Sequence, residues 1–214
     1  MTVISIASLS NPKYKLLKGI STQSSVRKDA GLFMVEGREF VRQTLEARPE
    51  SVVALVTTDP VTTSVDQWVL TPPLFKSISR LAHTNESVIA IVRRPDGVTP
   101  VLTRFAVVLD HLQTPSNIGS IVRNAVAFGA DFVWISDGSA DPFHPESVRA
   151  MAGNWYQVPI VVAPLDDAVS QFGTAQWMLL DSHVSEVFNQ RVVGGTVLVV
   201  IGSEGKGIVS PCLV

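Results

Sequence analysis

Two short stretches of this 214-residue chain contain residue types that could bind a ligand. Asn117 to Arg123 spells NIGSIVR, and Gly202 to Gly207 spells GSEGKG. Glycines in a turn let a ligand approach the backbone closely. An arginine held on a helix beside a loop can donate two hydrogen bonds to one phosphate. The two stretches suggest a site for a phosphate-bearing ligand, with a plain glycine turn and an ordinary exposed arginine as the alternatives.

The spacing excludes the common phosphate-binding motifs. Gly202 to Lys206 is too short for G-x-x-x-x-G-K-[ST], and Gly207 replaces the required Ser or Thr. The turn does not match G-x-G-x-x-G either. No set of His, Cys, Asp and Glu has metal-ligand spacing, so we expect no metal, and no Ser-His-Asp set can be identified. The histidines are scattered, at His83, His111, His144 and His183.

Alternating strands and helices after residue 104 place both stretches at strand ends. We predict strands at 105–110, 131–136, 158–163, 177–182 and 195–202, and helices at 117–129, 145–155 and 165–173. Apolar strands separated by helices indicate a parallel sheet covered on both faces. Ligands of such sheets bind beyond the carboxyl ends of the strands.

The helix predicted at 117–129 has clear end signals. Asn117 is a suitable N-cap and Gly129 a suitable C′ glycine. Arg123 falls about 140° around the helix from Ile118, away from the expected buried stripe. That stripe consists of Ile118, Ile121, Val122, Ala125 and Val126.

The first half of the chain predicts a separate small α/β domain. We expect strands at 31–37, 52–58, 66–70 and 87–94, and helices at 38–47 and 72–82. Residues 95–104 contain two prolines and a glycine without apolar periodicity, which is typical of a linker. The predicted domains are therefore 1–94 and 105–214.

Charge is divided unevenly between the halves. The net charge is −2, but residues 1–105 carry +4 and residues 106–214 carry −6. A basic half favours contact with a polyanion, and a solvated helix surface is the alternative. Cys212 is the single cysteine, and no apolar run approaches the roughly 18 residues of a membrane span. With no basic region before its first apolar residues, the chain is expected in the cytoplasm without a membrane.

Both stretches resemble the signature motifs of the SpoU/TrmH family of RNA methyltransferases, in the SPOUT class. Residues 109–136, LDHLQTPSNIGSIVRNAVAFGADFVWIS, resemble the first motif, with Asn117, Gly119 and Arg123 as its N-x-G-x-x-x-R. Residues 199–208, VVIGSEGKGI, resemble the second, with its G-x-E-x-x-G. Residues 11–41 resemble the family's substrate-binding domain. Thr114 departs from the aspartate that the family often has there.

The resemblance implies methyl transfer from S-adenosylmethionine to a ribose 2′-hydroxyl of structured rRNA or tRNA, without a metal. It implies that Arg123 holds the phosphate and polarises the hydroxyl, that Glu204 orients the loop and Arg123, and that Asn117 caps the helix and fixes the loop. A guanidinium offers donors and no acceptor, which makes a free-base role costly. Implied cofactor contacts are Gly202, Ile201, Glu204 and Gly207. Candidate RNA contacts are Lys13, Lys15, Lys18, Arg27, Lys28, Glu36 and Arg38.

The family's third motif, an Ile-Pro pair followed by Ser-Leu-Asn and a final helix, has no counterpart here. Ser210 and Pro211 have the residue types of an N-cap and N1, yet few residues follow. We therefore expect a SPOUT (α/β-knot) domain that lacks its knot segment. By family the protein is expected to be an RNA 2′-O-methyltransferase. The 214 residues by themselves are expected neither to bind S-adenosylmethionine appreciably nor to catalyse, and a full-length form is expected to be a homodimer.

Two other functional classes fit parts of the sequence. One is a non-catalytic RNA-binding protein derived from this family, which would keep the basic half without the cofactor pocket. The other is an α/β phosphoryl-transfer enzyme, which the failed Walker spacing disfavours.

Overall fold

The computed structural model describes residues 1–80, 88–95, 97, 99–180 and 194–213. The chain forms two compact units. The first contains Met1–Arg94 together with Asp141–Gly153, and the second contains Pro95–Ala140 together with Asn154–Val214. The first unit thus ends its main segment where the predicted linker begins, but it also takes in a segment that the sequence placed in the second domain. No helix in the described ranges is long and apolar enough to cross a membrane.

The first unit has a five-stranded mixed sheet in the order β1-β4-β3-β5-β2. Strands β1 and β3 run parallel to β4, whereas β5 runs antiparallel to β3 and β2. The strands are β1 (Val3–Ile6), β2 (Leu32–Glu36), β3 (Val52–Thr57), β4 (Gln67–Leu70) and β5 (Val88–Arg93). All were predicted except β1.

Helices of this unit pack on a core that includes Leu17, Ile20, Val56 and Ile91. The predicted helix at 38–47 is confirmed, and the one at 72–82 ends at Ile78; residues 81–82 lie outside the described residues. Two helices form before residue 31, where the sequence predicted none. The helices are α1 (Pro12–Thr22), α2 (Ser24–Ala30), α3 (Arg38–Ala47), α4 (Pro72–Ile78) and α6 (Pro145–Ala150), and Pro49–Ser51 form a 3₁₀ turn.

The second unit has a five-stranded, fully parallel sheet in the order β8-β7-β6-β10-β9, which confirms the predicted sheet type. Its strands are β6 (Phe105–Leu109), β7 (Val133–Ser136), β8 (Ile160–Ala163), β9 (Gln176–Leu180) and β10 (Val197–Ile201). Its helices are α5 (Pro115–Phe128) and α7 (Leu165–Phe172), with 3₁₀ turns at Asn154–Tyr156 and Pro211–Leu213. Residues 181–182 of the predicted fourth strand lie outside the described residues.

The two faces of this sheet differ in their covering. Helix α7 packs on one face, where the Phe172 ring lies 5.1 Å from Phe132 and 6.4 Å from Trp134. The other face carries α5 and, beside it, an open apolar groove of about 420 Å³. The groove is lined by Phe105, Val107, Ile121, Asn124, Ala125, Phe128, Val199 and Ile201. Phe128, in this groove, is 73% exposed. In the described part of the chain, the predicted covering of both sheet faces is therefore only partial on the α5 face.

The helix predicted at 145–155 stops at Ala150 and belongs to the first unit. Ala152 and Gly153 have φ values of 51° and 84°, a left-handed conformation that a helix cannot continue through. Asp141 fixes the start of this segment, because Arg27 Nε donates to Asp141 Oδ2 at 2.6 Å. The Phe143 ring packs 4.9 Å from Phe33.

Candidate active site

Strands β6 and β10 are neighbours in the parallel sheet, so the two candidate stretches begin at adjacent carboxyl ends. Val200 pairs with Val108 and Ile201 with Leu109, and Asp110 N then donates to Ile201 O at 2.9 Å. The loop after β6 leads into α5, and the glycine turn follows β10. This is the edge at which parallel α/β sheets bind ligands.

Helix α5 begins earlier than the sequence predicted. Pro115 is its first residue, and Thr114 is the N-cap without a side-chain hydrogen bond. Proline is well suited to the first helical position, because its φ is already helical and the N–H it lacks would have no intrahelical partner. The predicted N-cap role of Asn117 is therefore wrong. Gly129 ends the helix in the left-handed region at φ 71°, as predicted.

Asn117 instead joins the helix to the glycine turn. Its Nδ2 donates a hydrogen bond to Glu204 Oε1. The contact spans 87 positions in sequence and brings the centre of the first motif onto the acidic residue of the second. The Glu204 carboxylate thus contacts Asn117, and no salt bridge between Glu204 and Arg123 occurs in the described ranges.

The glycine turn owes its shape to contacts within its own backbone. Ser203 and Gly207 exchange two backbone hydrogen bonds of 2.9 Å each. A Cβ at Gly202 would collide with the backbone of Gly207 and Ile208, and Gly207 has a φ of 64°. The fold of the turn itself therefore requires glycine at position 202. The sequence alone could not tell this requirement from a need for close approach of a ligand. A Cβ at Gly205 would meet nothing, so the outer side of the turn is open.

Arg123 lies on the exposed side of α5, as its helical phase predicted. Ile118, Val122 and Ala125 are buried, and Ile121 and Val126 are half-buried. Among the described residues, Arg123 forms no salt bridge. A guanidinium in this position is available to a phosphate or a polar substrate group.

Asp110 is a polar residue of the site that sequence reasoning missed. Its carboxylate is completely buried and accepts hydrogen bonds from Val209 N at 2.7 Å, Ser210 N at 3.0 Å and Ser210 Oγ at 2.5 Å. Burial raises its pKa, but these bonds and one with the His111 ring outweigh burial, and the pKa lies below its usual value. A carboxylate directly after a buried strand was the available signal.

Ser210 and His111 both contact the Asp110 carboxylate, and for Ser210 this differs from the predicted helix N-cap. The Ser210 hydroxyl donates to Asp110, so it is not used to cap a helix. The residues that follow it, Pro211–Leu213, form a 3₁₀ turn. His111 places Nδ1 2.7 Å from Asp110 Oδ1. Its backbone has a φ of 54°, which is rare for a non-glycine residue and typical of constrained sites.

The candidate RNA contacts of the first unit differ in their exposure and in the contacts that they make within the unit. Arg27 is 1% exposed and donates to Asp141 and to the Ile20 carbonyl, so its guanidinium is withdrawn from the surface. Lys13 lies 4.3 Å above the Trp68 ring, and Lys18 Nζ donates to Ser77 O at 2.7 Å.

The remaining candidates are Glu36 and three exposed basic residues. Glu36 accepts a hydrogen bond from Arg80 N at 2.9 Å and another from Ser79 Oγ, so it holds the end of α4. Lys15, Lys28 and Arg38 are exposed. In the described ranges, no cluster of three or more His, Cys, Asp or Glu could hold a metal ion.

The arrangement is suited to binding and positioning. It combines an exposed arginine, an acidic side chain fixed by an amide, and a turn with accessible backbone at the edge of a parallel sheet. Comparison with known protein families shows which family has this arrangement. Residues 104–213 match the SpoU rRNA Methylase family, which is half of the chain. The chain belongs to this family.

Individual relatives agree with this assignment. The 23S rRNA (guanosine(2553)-2′-O)-methyltransferase RlmP of Bacillus subtilis is 23% identical over 211 residues, which cover 95% of this chain and 84% of that protein. A 23S rRNA (uridine(2479)-2′-O)-methyltransferase of Streptomyces viridochromogenes is 27% identical over 150 residues, which cover 68% of this chain and 47% of that protein. The match thus spans less than half of the second relative.

Solved structures share the fold. A putative RNA methyltransferase of the TrmH family from Porphyromonas gingivalis has a TM-score of 0.73 at 28% identity, covering 95% of this chain and 84% of that one. An AdoMet-bound rRNA methyltransferase from Sinorhizobium meliloti has a TM-score of 0.78 at 24% identity, covering 97% and 84%.

Proposed function

We propose that this protein transfers a methyl group from S-adenosylmethionine to a ribose 2′-hydroxyl of ribosomal or transfer RNA, in the cytoplasm. Membership in the SpoU family supports the reaction class. The observation that carries the proposal is the hydrogen bond from Asn117 to Glu204, because it joins the two motif stretches into one site. The two relatives named as 2′-O-methyltransferases of 23S rRNA support the ribose as the acceptor.

The residues after β10 fit S-adenosylmethionine. Its adenine and amino acid groups need backbone donors and acceptors, and the open side of the turn at Gly205 leaves backbone accessible. Gly202, Glu204, Gly207 and the half-buried Ile201 would hold it. When bound, S-adenosylmethionine supplies an electrophilic methyl group on a cationic sulfur.

The side chains of α5 position the acceptor. The Arg123 guanidinium has hydrogen-bond donors and no acceptor, so it binds a phosphate and polarises the hydroxyl but is not the base. Asn117 and Glu204 fix the turn against the helix, so that the two reacting centres meet in one geometry. Glu204 acts in this proposal as an orienting group.

The RNA contacts are proposed for the first unit, at the exposed Lys15, Lys28 and Arg38. These residues lie in the half with a net charge of +4. Phosphate contacts by lysine and arginine supply most of the sequence-independent affinity for RNA. Lys13, Lys18 and Glu36 shape the surface of the unit through their own contacts.

We propose that the protein acts as a homodimer through the apolar groove of the second unit. Parallel sheets bury both faces, and contiguous exposed apolar surface marks an association site. Phe128→Glu should shift the mass measured by light scattering toward the monomer. Leu9→Glu, at another exposed apolar residue, is the matched control. Equal masses for wild type and Phe128→Glu would contradict the dimer face.

The reaction is tested by mapping ribose methylation in RNA from cells with and without the gene. The proposal predicts one or a few 2′-O-methylated nucleotides that disappear on deletion and return with the wild-type gene. RNA that binds the protein but loses no methylated nucleotide on deletion would instead support a non-catalytic RNA-binding protein.

A further inference from the structure

We infer that Asp110 is a positioning residue that holds the glycine turn in the arrangement the cofactor site needs. This inference rests on the proposed function for what the turn binds. Asp110 is the first residue after β6, and Val209 and Ser210 come just after the glycine turn. Its carboxylate joins two chain segments that are 100 positions apart.

The carboxylate is used on both oxygens. Oδ2 accepts the adjacent backbone N–H groups of Val209 and Ser210, at 2.7 and 3.0 Å. Oδ1 accepts the Ser210 hydroxyl at 2.5 Å and contacts His111 Nδ1 at 2.7 Å. An ionised carboxylate only accepts hydrogen bonds, so His111 donates through Nδ1.

These bonds fix the turn at its far end. The first residue of the turn, Gly202, follows directly after β10. Glu204, in the middle of the turn, is held by its hydrogen bond from Asn117. Without Asp110, Val209 N, Ser210 N and the Ser210 hydroxyl would lose their acceptor. An unpaired buried polar group is costly, so the segment would move to recover its bonds elsewhere.

The same carboxylate reaches the first motif loop. His111 N donates to Ser136 Oγ at 2.9 Å, at the end of β7. Gln113 Nε2 donates to His111 O at 3.0 Å and to Gly138 O at 2.8 Å. Asp110 therefore sets the turn and the loop before α5 relative to each other, without itself being exposed to a ligand.

The test compares amide exchange within residues 202–213 between variants. Asp110→Ala should speed exchange at Val209 and Ser210 by about 10-fold to 100-fold, since charge-assisted bonds are lost. Ser210→Ala should show a smaller increase in the same segment, and Ser210→Thr, which keeps the hydroxyl, should restore exchange toward wild type. Amides in the centre of β6 should exchange as in wild type, which separates local release from global unfolding.

Asp131→Asn is the matched control. Asp131 is a second carboxylate of this unit that accepts several bonds, from Thr103 N, Thr103 Oγ1 and Arg104 N, but it precedes β7 at the opposite edge of the sheet. The Asp131→Asn substitution should leave amide exchange in residues 202–213 unchanged. If Asp110→Ala fails to fold, Asp110→Asn and Ser210→Ala carry the comparison.

A second readout is restoration of RNA methylation in cells that lack the gene. Asp110→Ala should restore about 10-fold to 100-fold less methylation than Asp131→Asn. Unchanged exchange in the Asp110 variants, or full restoration despite a released turn, would overturn the inference. If the wild-type gene restores nothing, the proposed function fails, and the exchange rates alone decide whether Asp110 holds the turn.

Discussion

Arg123 is the residue on which the proposed chemistry depends most. It follows the buried Val122 on α5, yet its own side chain is exposed. Its contribution to packing is therefore small, and its contribution to a bound ligand can be separated experimentally from folding. Asn117 is different, because it contacts Glu204 and so affects the shape of the site.

We predict that Arg123→Ala lowers methylation of the target nucleotide by at least about 100-fold, as expected for loss of a charged group that stabilises the reacting centre. The thermal unfolding midpoint should stay within about 1 °C of wild type, because surface changes usually alter stability little. The measurement is methylation in cells that carry only the variant gene, with unfolding of the purified protein.

The matched control is Arg149→Ala, which removes another exposed helical arginine, on α6. It should leave methylation unchanged. Methylation by Arg123→Ala close to the wild-type level would return Arg123 to an ordinary surface arginine.

At the residue scale, the sequence predicted those features that depend on local helical periodicity. The helical phase of Arg123 followed from a regular pitch. The role of Asn117 did not, because Pro115 begins the helix earlier and leaves the amide free for Glu204. Asp110 was missed for a related reason. Its partners after the glycine turn, Val209 and Ser210, lie about 100 positions away, and no local pattern indicates which backbone N–H groups a carboxylate will meet.

At the scale of elements, the segment Asp141–Gly153 is the main departure from the sequence prediction. Its helical pattern was detected, but a pattern does not state which sheet a helix packs against. The structure places α6 with β2 in the first unit. The link is an ion pair between Arg27 and Asp141, whose side chains are only 2% and 6% exposed.

We predict that Asp141→Asn lowers the free energy of unfolding by roughly 3 to 5 kcal/mol, because removing one partner leaves a buried charge on Arg27. Denaturant unfolding measures the loss. Arg42→Ala is the matched control, since Arg42 pairs with Glu39 and Glu46 at the surface of α3 and should matter little. Similar effects of the two substitutions would contradict the anchoring role of Asp141.

The pH dependence has a defined sign. Burial raises the pKa of Asp141. The hydrogen bond from the Phe143 backbone N–H and the contact with Arg27 lower it by more, so the pKa lies below its usual value. Asp141 therefore stabilises the protein above about pH 4, and this contribution is lost as pH falls through the lowered pKa. The stability difference between wild type and Asp141→Asn should shrink in acid.

At the scale of the whole molecule, charge and fold divide the chain in a similar way. The parallel sheet, the strand ends that carry the motifs and the basic first half all followed from composition and periodicity. The location of Arg27 did not, because its charge suggested a surface residue and its burial depends on Asp141. The charge distribution indicated the unit expected to meet RNA. Only the structure showed that Lys13 and Lys18 make contacts within that unit and that Lys15 and Lys28 are exposed.

We predict that replacing Lys15 and Lys28 together by Gln weakens RNA binding and reduces the slope of log affinity against log salt by about 1 to 2. Fluorescence anisotropy with structured RNA over a salt series measures both. Replacing Arg42 and Arg48 by Gln removes two exposed charges on α3 and at its C-terminal end, outside α1 and α2, and should change the slope less. Equal effects would mean that total charge, rather than this surface, binds RNA.

The central claim is that the protein moves a methyl group from S-adenosylmethionine to a ribose hydroxyl of RNA. The direct measurement is mass spectrometry of nuclease fragments of the RNA from cells fed methionine with an isotopically labelled methyl group. The account predicts a labelled 2′-O-methyl nucleoside at a defined position that requires the gene and is lost with Arg123→Ala. An identical pattern of labelled ribose methylation with and without the gene would contradict it.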